Sequence, residues 1–83
     1  MTRKIRKTLR ERISEIQQNF IEGVIYYEKV TGKNQRDPDY YKYHLDNMKT
    51  ALREQRLRER DVTYHTRDAE AKLAGERTKE GLD

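Results

Sequence analysis

Seven apolar side chains near the start of the chain, Ile5, Leu9, Ile13, Ile16, Phe20, Val24 and Tyr27, follow one another at steps of 4, 4, 3, 4, 4 and 3. A helix brings residues three and four apart onto one face, whereas a half-buried strand needs alternation. No proline interrupts the run, so the spacing predicts a helix over about residues 3–31. Ile21 and Ile25 add a second line beside the first and widen the stripe. Gly23 lies within it, where it costs about 1 kcal/mol against alanine but lets a neighbour approach closely.

Gly32 suits the residue just past a helix end, because it tolerates positive φ. The polar run that follows predicts a loop over 32–37. Asp37-Pro38-Asp39 then marks a new start, with Asp37 as cap, Pro38 at the first helical position and Asp39 at the positive end of the dipole. Tyr41, Leu45, Met48 and Leu52 continue with steps of 4, 3 and 4, and the second helix is expected to run to about residue 60. Beyond Leu52 the stripe fades: Gln55 and Glu59 occupy the seam, and Leu57 is out of phase. Val62-Thr63-Tyr64-His65-Thr66 is a run of poor helix formers. Val62, Ala69 and Leu73 resume the pattern only faintly. These features predict a weaker helix over about 67–75 and a flexible tail over 76–83.

The expected fold is therefore all-α: an antiparallel two-helix hairpin in one domain, residues 1–75, with a weak third segment or frayed tail. Ile16, Phe20, Ile21, Val24 and Ile25 span more of a helix than one partner helix covers, and a chain of 83 residues has a small core. Self-association is the expected remedy, two hairpins dimerising into a helical bundle. The expected interface is Phe20, Ile21, Val24 and Ile25, with Tyr26, Tyr40 and Tyr43 as further contacts, since tyrosine is enriched where proteins meet.

Charge is unevenly distributed. Residues 1–12 and 53–60 carry ten cations (Arg3, Lys4, Arg6, Lys7, Arg10, Arg12, Arg53, Arg56, Arg58 and Arg60) against three anions, Glu11, Glu54 and Glu59. An antiparallel hairpin brings both clusters to its open end, a field suited to phosphate. Several of the cations are like-charged pairs one helical turn apart, and those at the first helix's start oppose its dipole, a local cost that points to a polyanionic partner.

Other classes find little support. Cysteine is absent, which excludes disulfides and cysteine-based zinc sites. His44 and His65 share no ligand spacing, so no metal and no cofactor is expected. Phosphate-binding loops, dinucleotide fingerprints and nucleophile elbows are missing from the sequence, so an enzyme is not expected. No apolar run is long enough to span a membrane, the basic first residues lack a signal peptide's apolar stretch, and a cytoplasmic location without a membrane partner is expected. Two functions fit. One is a small non-enzymatic adaptor or regulator that binds DNA, RNA or another polyanion through its basic end. The other is an inhibitor or assembly factor of the phage or mobile-element accessory type, which takes a protein partner, an acidic one included, through the tyrosine-rich tip or the wide face of the first helix.

Overall fold

Thr8 and Glu11 set where the first helix begins. The Thr8 hydroxyl accepts from the Glu11 backbone N–H at 3.1 Å, and the Glu11 carboxylate accepts from the Thr8 backbone N–H at 3.0 Å. This reciprocal box satisfies two groups that a helix start leaves bare. Helix α1 accordingly spans Leu9–Thr31. Its predicted start near residue 3 is corrected: residues 6–8 precede the helix. It ends as expected at Gly32, whose φ of 72° places it in the left-handed region while its N–H bonds the Glu28 carbonyl at 3.0 Å. A computed structural model describes residues 6–32 and 38–82. The proposed cap Asp37, the rest of the loop over 33–37, and Ile5, Arg3 and Lys4 lie outside the described residues.

Helix α2 spans Pro38–Glu54 and α3 spans Glu59–Glu80, so three helices and no strand occur among the described residues. The two-helix hairpin is corrected here. The second helix stops at Glu54 rather than near 60, because residues 55–58 form a turn in which Arg56 takes a φ of 63°. Gln55 and Arg56 donate to the carbonyls of Leu52 and Arg53, which tightens the helix end. Arg53 then bridges the turn with a forked pair of hydrogen bonds to Glu59 at 3.0 Å each. The break removes the phase problem posed by Leu57: freed from the α2 helix, it packs against the core. It also separates Glu54 from Arg58, which an uninterrupted helix would have paired one turn apart.

The predicted weak helix over 67–75 and the tail over 76–83 are likewise corrected. Helix α3 runs without interruption through Gly75 to Glu80, closed by Gly81 at a φ of 70°. Its buried row is Val62, Thr66, Ala69, Leu73 and Arg77, at steps of 4, 3, 4 and 4. The row is helical in spacing but carries only three apolar residues.

Cross-helix contacts fix the topology. Tyr27 of α1 stacks on Tyr40 of α2 with ring centres 4.3 Å apart, and Phe20 meets Tyr41 edge-on at 5.9 Å. The two helices therefore run antiparallel. Between Phe20 and Tyr27 on α1, Gly23 faces the ring of His44, one turn further along α2, and a Cβ on Gly23 would lie 3.2 Å from it. Burial against α1 lowers the His44 pKa below its usual range. Helix α3 lies parallel to α1: Gln17 donates to the His65 carbonyl at 2.8 Å, and eleven residues on, Glu28 pairs with Arg77. The core of Ile13, Phe20, Ile21, Val24, Met48, Leu52, Val62, Ala69 and Leu73 draws on all three helices.

This arrangement changes the role of the expected interface. Phe20, Ile21 and Val24 are buried within one chain, and Ile25 is half-buried against the same core. The wide stripe is covered by α3, so it does not form an exposed face awaiting a second copy. Tyr40 is buried as well, whereas Tyr26 and Tyr43 remain exposed.

Candidate nucleic-acid interface

Up-down-up topology places the start of α1, the 55–58 turn and the start of α3 at one pole of the bundle. Every expected phosphate-binding residue that is described, Arg6, Lys7, Arg10, Arg12, Arg53, Arg56, Arg58 and Arg60, belongs to that pole and is exposed. Outside residues 1–12 and 53–60 the chain carries nine cations and twelve anions, so the remainder of the molecule is net acidic.

The cations are not equivalent. Lys7 forms an ion pair with Glu15. The Arg12 guanidinium donates to the Lys7 carbonyl at 3.3 Å. Arg53 is held by Glu59, and that hydrogen-bonded pairing raises the guanidinium's pKa while lowering that of the carboxylate. Glu11 is likewise held ionised by the Thr8 backbone and side-chain hydrogen bonds. Two of the local anions are thus engaged by Arg53 and the Thr8 cap. Among the described residues, Arg6, Arg10, Arg56, Arg58 and Arg60 have no carboxylate partner within salt-bridge distance. An exposed guanidinium of this kind presents a planar fork that matches phosphate oxygens.

Beside this pole, a groove of about 450 Å³ runs between α1 and α3. Leu9, Arg10, Ile13, Gln17, Tyr64 and His65 are among the side chains lining it. Gln17, almost fully buried, forms its floor. The amide nitrogen donates to the His65 carbonyl and, at 3.1 Å, to Asp68, and the amide oxygen accepts from Lys72 at 3.3 Å. Lys72 and Gln17 together hold the Asp68 carboxyl below its usual pKa. Tyr64 stands at the groove with 66% of its surface exposed. In the sequence Tyr64 stands out only as one of a run of poor helix formers, and it is the third helix that brings it beside Leu9 and Arg10 at the basic pole.

The far pole is built differently. Glu28, enclosed by the fold, accepts from Arg77 at 3.1 and 2.5 Å and from the Tyr40 hydroxyl. Tyr41 donates to Glu70 at 2.6 Å, and the Arg77 guanidinium lies 5.7 Å from the centre of the Tyr41 ring. Burial and these carboxylates push both phenol pKa values above their usual range. Among the described residues, no group of three or more potential metal ligands is gathered, and no helix is long and apolar enough to cross a membrane.

Comparison with protein-family models, curated proteins and solved structures finds no match to this chain. Its functional reading therefore rests on the surface itself.

Proposed function

We propose that this protein binds nucleic acid through the phosphate backbone, using the pole where α1 begins and α2 turns into α3. The observation that carries this reading is the gathering of Arg6, Arg10, Arg56, Arg58 and Arg60, exposed and without carboxylate partners among the described residues, on a molecule whose remainder is net acidic. The one-turn pairs expected from the sequence are split, since Arg6 precedes α1 and Arg56 precedes α3, but Arg10 in the first turn of α1 and Arg58 and Arg60 at the start of α3 still oppose the helix dipoles. A phosphate chain relieves that cost and releases the counterions condensed on it.

Titration of duplex DNA at several salt concentrations tests the proposal. Affinity should fall steeply with salt and vary little with sequence. Each neutralised phosphate contributes about 0.9 to the log–log slope. Replacing Arg6, Arg10, Arg56 and Arg60 with glutamine should flatten the slope while leaving the melting midpoint close to that of the parent, because all four side chains lie outside the core. Absence of binding even at low salt would overturn the reading. The field would then serve an acidic protein, and the adaptor would be protein-directed. Tyr26 and Val30, one turn apart on α1 and 69% and 64% exposed, favour that second reading.

A further inference from the structure

We propose that the groove between α1 and α3 takes an unpaired nucleobase stacked on Tyr64, so that the preferred ligand is single-stranded. The inference rests on the phosphate-binding reading above and specifies the ligand of the same pole.

Tyr64 is a large ring left exposed where a helix surface has no packing use for it. The His65 ring meets it edge-on, with centres 5.2 Å apart and planes at 76°, and so braces the tyrosine on one side. Arg60 and Arg67, both exposed, sit four residues before and three after Tyr64, which makes them its neighbours along the outer face of α3. Arg10 borders the same groove from α1. Cations therefore flank an aromatic platform, the combination with which proteins track a single strand: charge for the backbone, a ring for the bases. Within a duplex, bases are stacked on their neighbours and cannot reach the ring face.

The groove floor adds a second constraint. The Gln17 amide is fully engaged by His65, Asp68 and Lys72, and Leu9 and Ile13 supply apolar surface beside it. A base entering the groove meets the Tyr64 ring and this hydrocarbon, with Arg10, Ser14 and His65 as polar side chains of the same lining. Stacking on the ring reads the π-face, which every base has, so this contact should tolerate any base.

The experiment uses the full chain and two probes of equal length, a single-stranded DNA carrying a central 2-aminopurine and its duplex, at one salt concentration. The wild type should bind the single strand more tightly than the duplex, and binding should quench the 2-aminopurine fluorescence as the base stacks. Tyr64→Ala should weaken single-strand binding by about five- to a hundred-fold, the range expected for one stacked base. Duplex affinity should not change. Tyr64→Phe, which keeps the ring, should retain both the affinity and the quench. The melting midpoint of each variant shows that the fold is intact. Equal single-strand affinity for wild type and Tyr64→Ala would overturn the stacking proposal while leaving the phosphate reading standing. Failure of the wild type to bind either probe would overturn both.

Discussion

Glu28 and Arg77 sit at seam positions that a purely apolar reading passes over. The buried row of α1 is Ile13, Gln17, Phe20, Ile21, Val24 and Glu28, so two of its six members are polar. Ile16 and Tyr27, which the apolar steps place on the seam, are only partly buried at its edge. Helical spacing was legible in the sequence. That a carboxylate and an arginine would occupy it was not, because the sign of a buried polar residue depends on a partner 49 residues away. Removing one member of an enclosed ion pair leaves the other charge buried and costs about 3–5 kcal/mol. Arg77→Ala should therefore lower the melting midpoint sharply, and Glu28→Gln combined with Arg77→Met should recover much of the loss. A small effect of the single change would show that Glu28 finds water. The tyrosines predict behaviour at alkaline pH. Tyr40 and Tyr41 have raised pKa values in the folded state, so the fold favours their neutral form. That contribution is complete below the unfolded value of about 10 and is lost as pH rises above it. Urea melts from about pH 9 to pH 11 should show stability falling, with a shallower fall when both tyrosines are phenylalanine. Thr66 is the converse case: its hydroxyl is buried with no hydrogen-bond partner among the described residues. Thr66→Val keeps the shape, removes the unmet group, and should stabilise the fold by about 1 kcal/mol in denaturant titration.

At the scale of elements, the signals that could be read were the local ones. Gly32 ends α1, and Pro38 opens α2. Thr8-x-x-Glu11 was equally local and sharper than the apolar run, which extended the helix too far toward the N-terminus. The break at 55–58 was harder to place, because it contains neither glycine nor proline and depends on Arg56 adopting a conformation that most side chains avoid. What compensates is tertiary: Leu57 reaches the core and Arg53 grips Glu59 across the turn. Helix α3 was underestimated for a related reason. With threonine, alanine and arginine in its buried row, its apolar signal is faint, and its stability comes from the surface offered by α1 and α2. The same geometry replaces the expected flexible tail over 76–83 with helix as far as Glu80. A chain ending at Gly75 loses Arg77 and leaves Glu28 buried without its cation. It also loses the Lys29–Glu80 ion pair. This truncation should lower the melting midpoint by many degrees and speed amide exchange throughout the end of α1. A change of only a degree or two would show that the C-terminal end of α3 contributes little.

For the whole molecule, the third helix alters how the core is completed. A two-helix chain needs a second copy to cover Phe20, Ile21 and Val24, and this was the reason for expecting a dimer. With α3 in place those side chains are 4%, 3% and 0% exposed in a single chain. Folding then need not be coupled to association, and the thermal midpoint should be independent of protein concentration, whereas an obligate dimer melts at a temperature that rises with concentration. A midpoint that climbs across a hundred-fold range of concentration would contradict a self-sufficient bundle. Ile21→Lys sharpens the distinction. On an intermolecular face the lysine would release folded monomers that keep their helical circular dichroism. In this bundle it replaces an apolar side chain only 3% exposed, so the core loses its packing there and the ammonium must leave the core for the groove where Glu22, Glu76 and Glu80 stand, a cost of several kcal/mol against a stability that is small for a chain of this length. Helicity should therefore be lost with the substitution at every concentration, while an exposed change such as Tyr26→Lys should leave it intact. Folded, monomeric Ile21→Lys would return that face to the surface and the core to two chains.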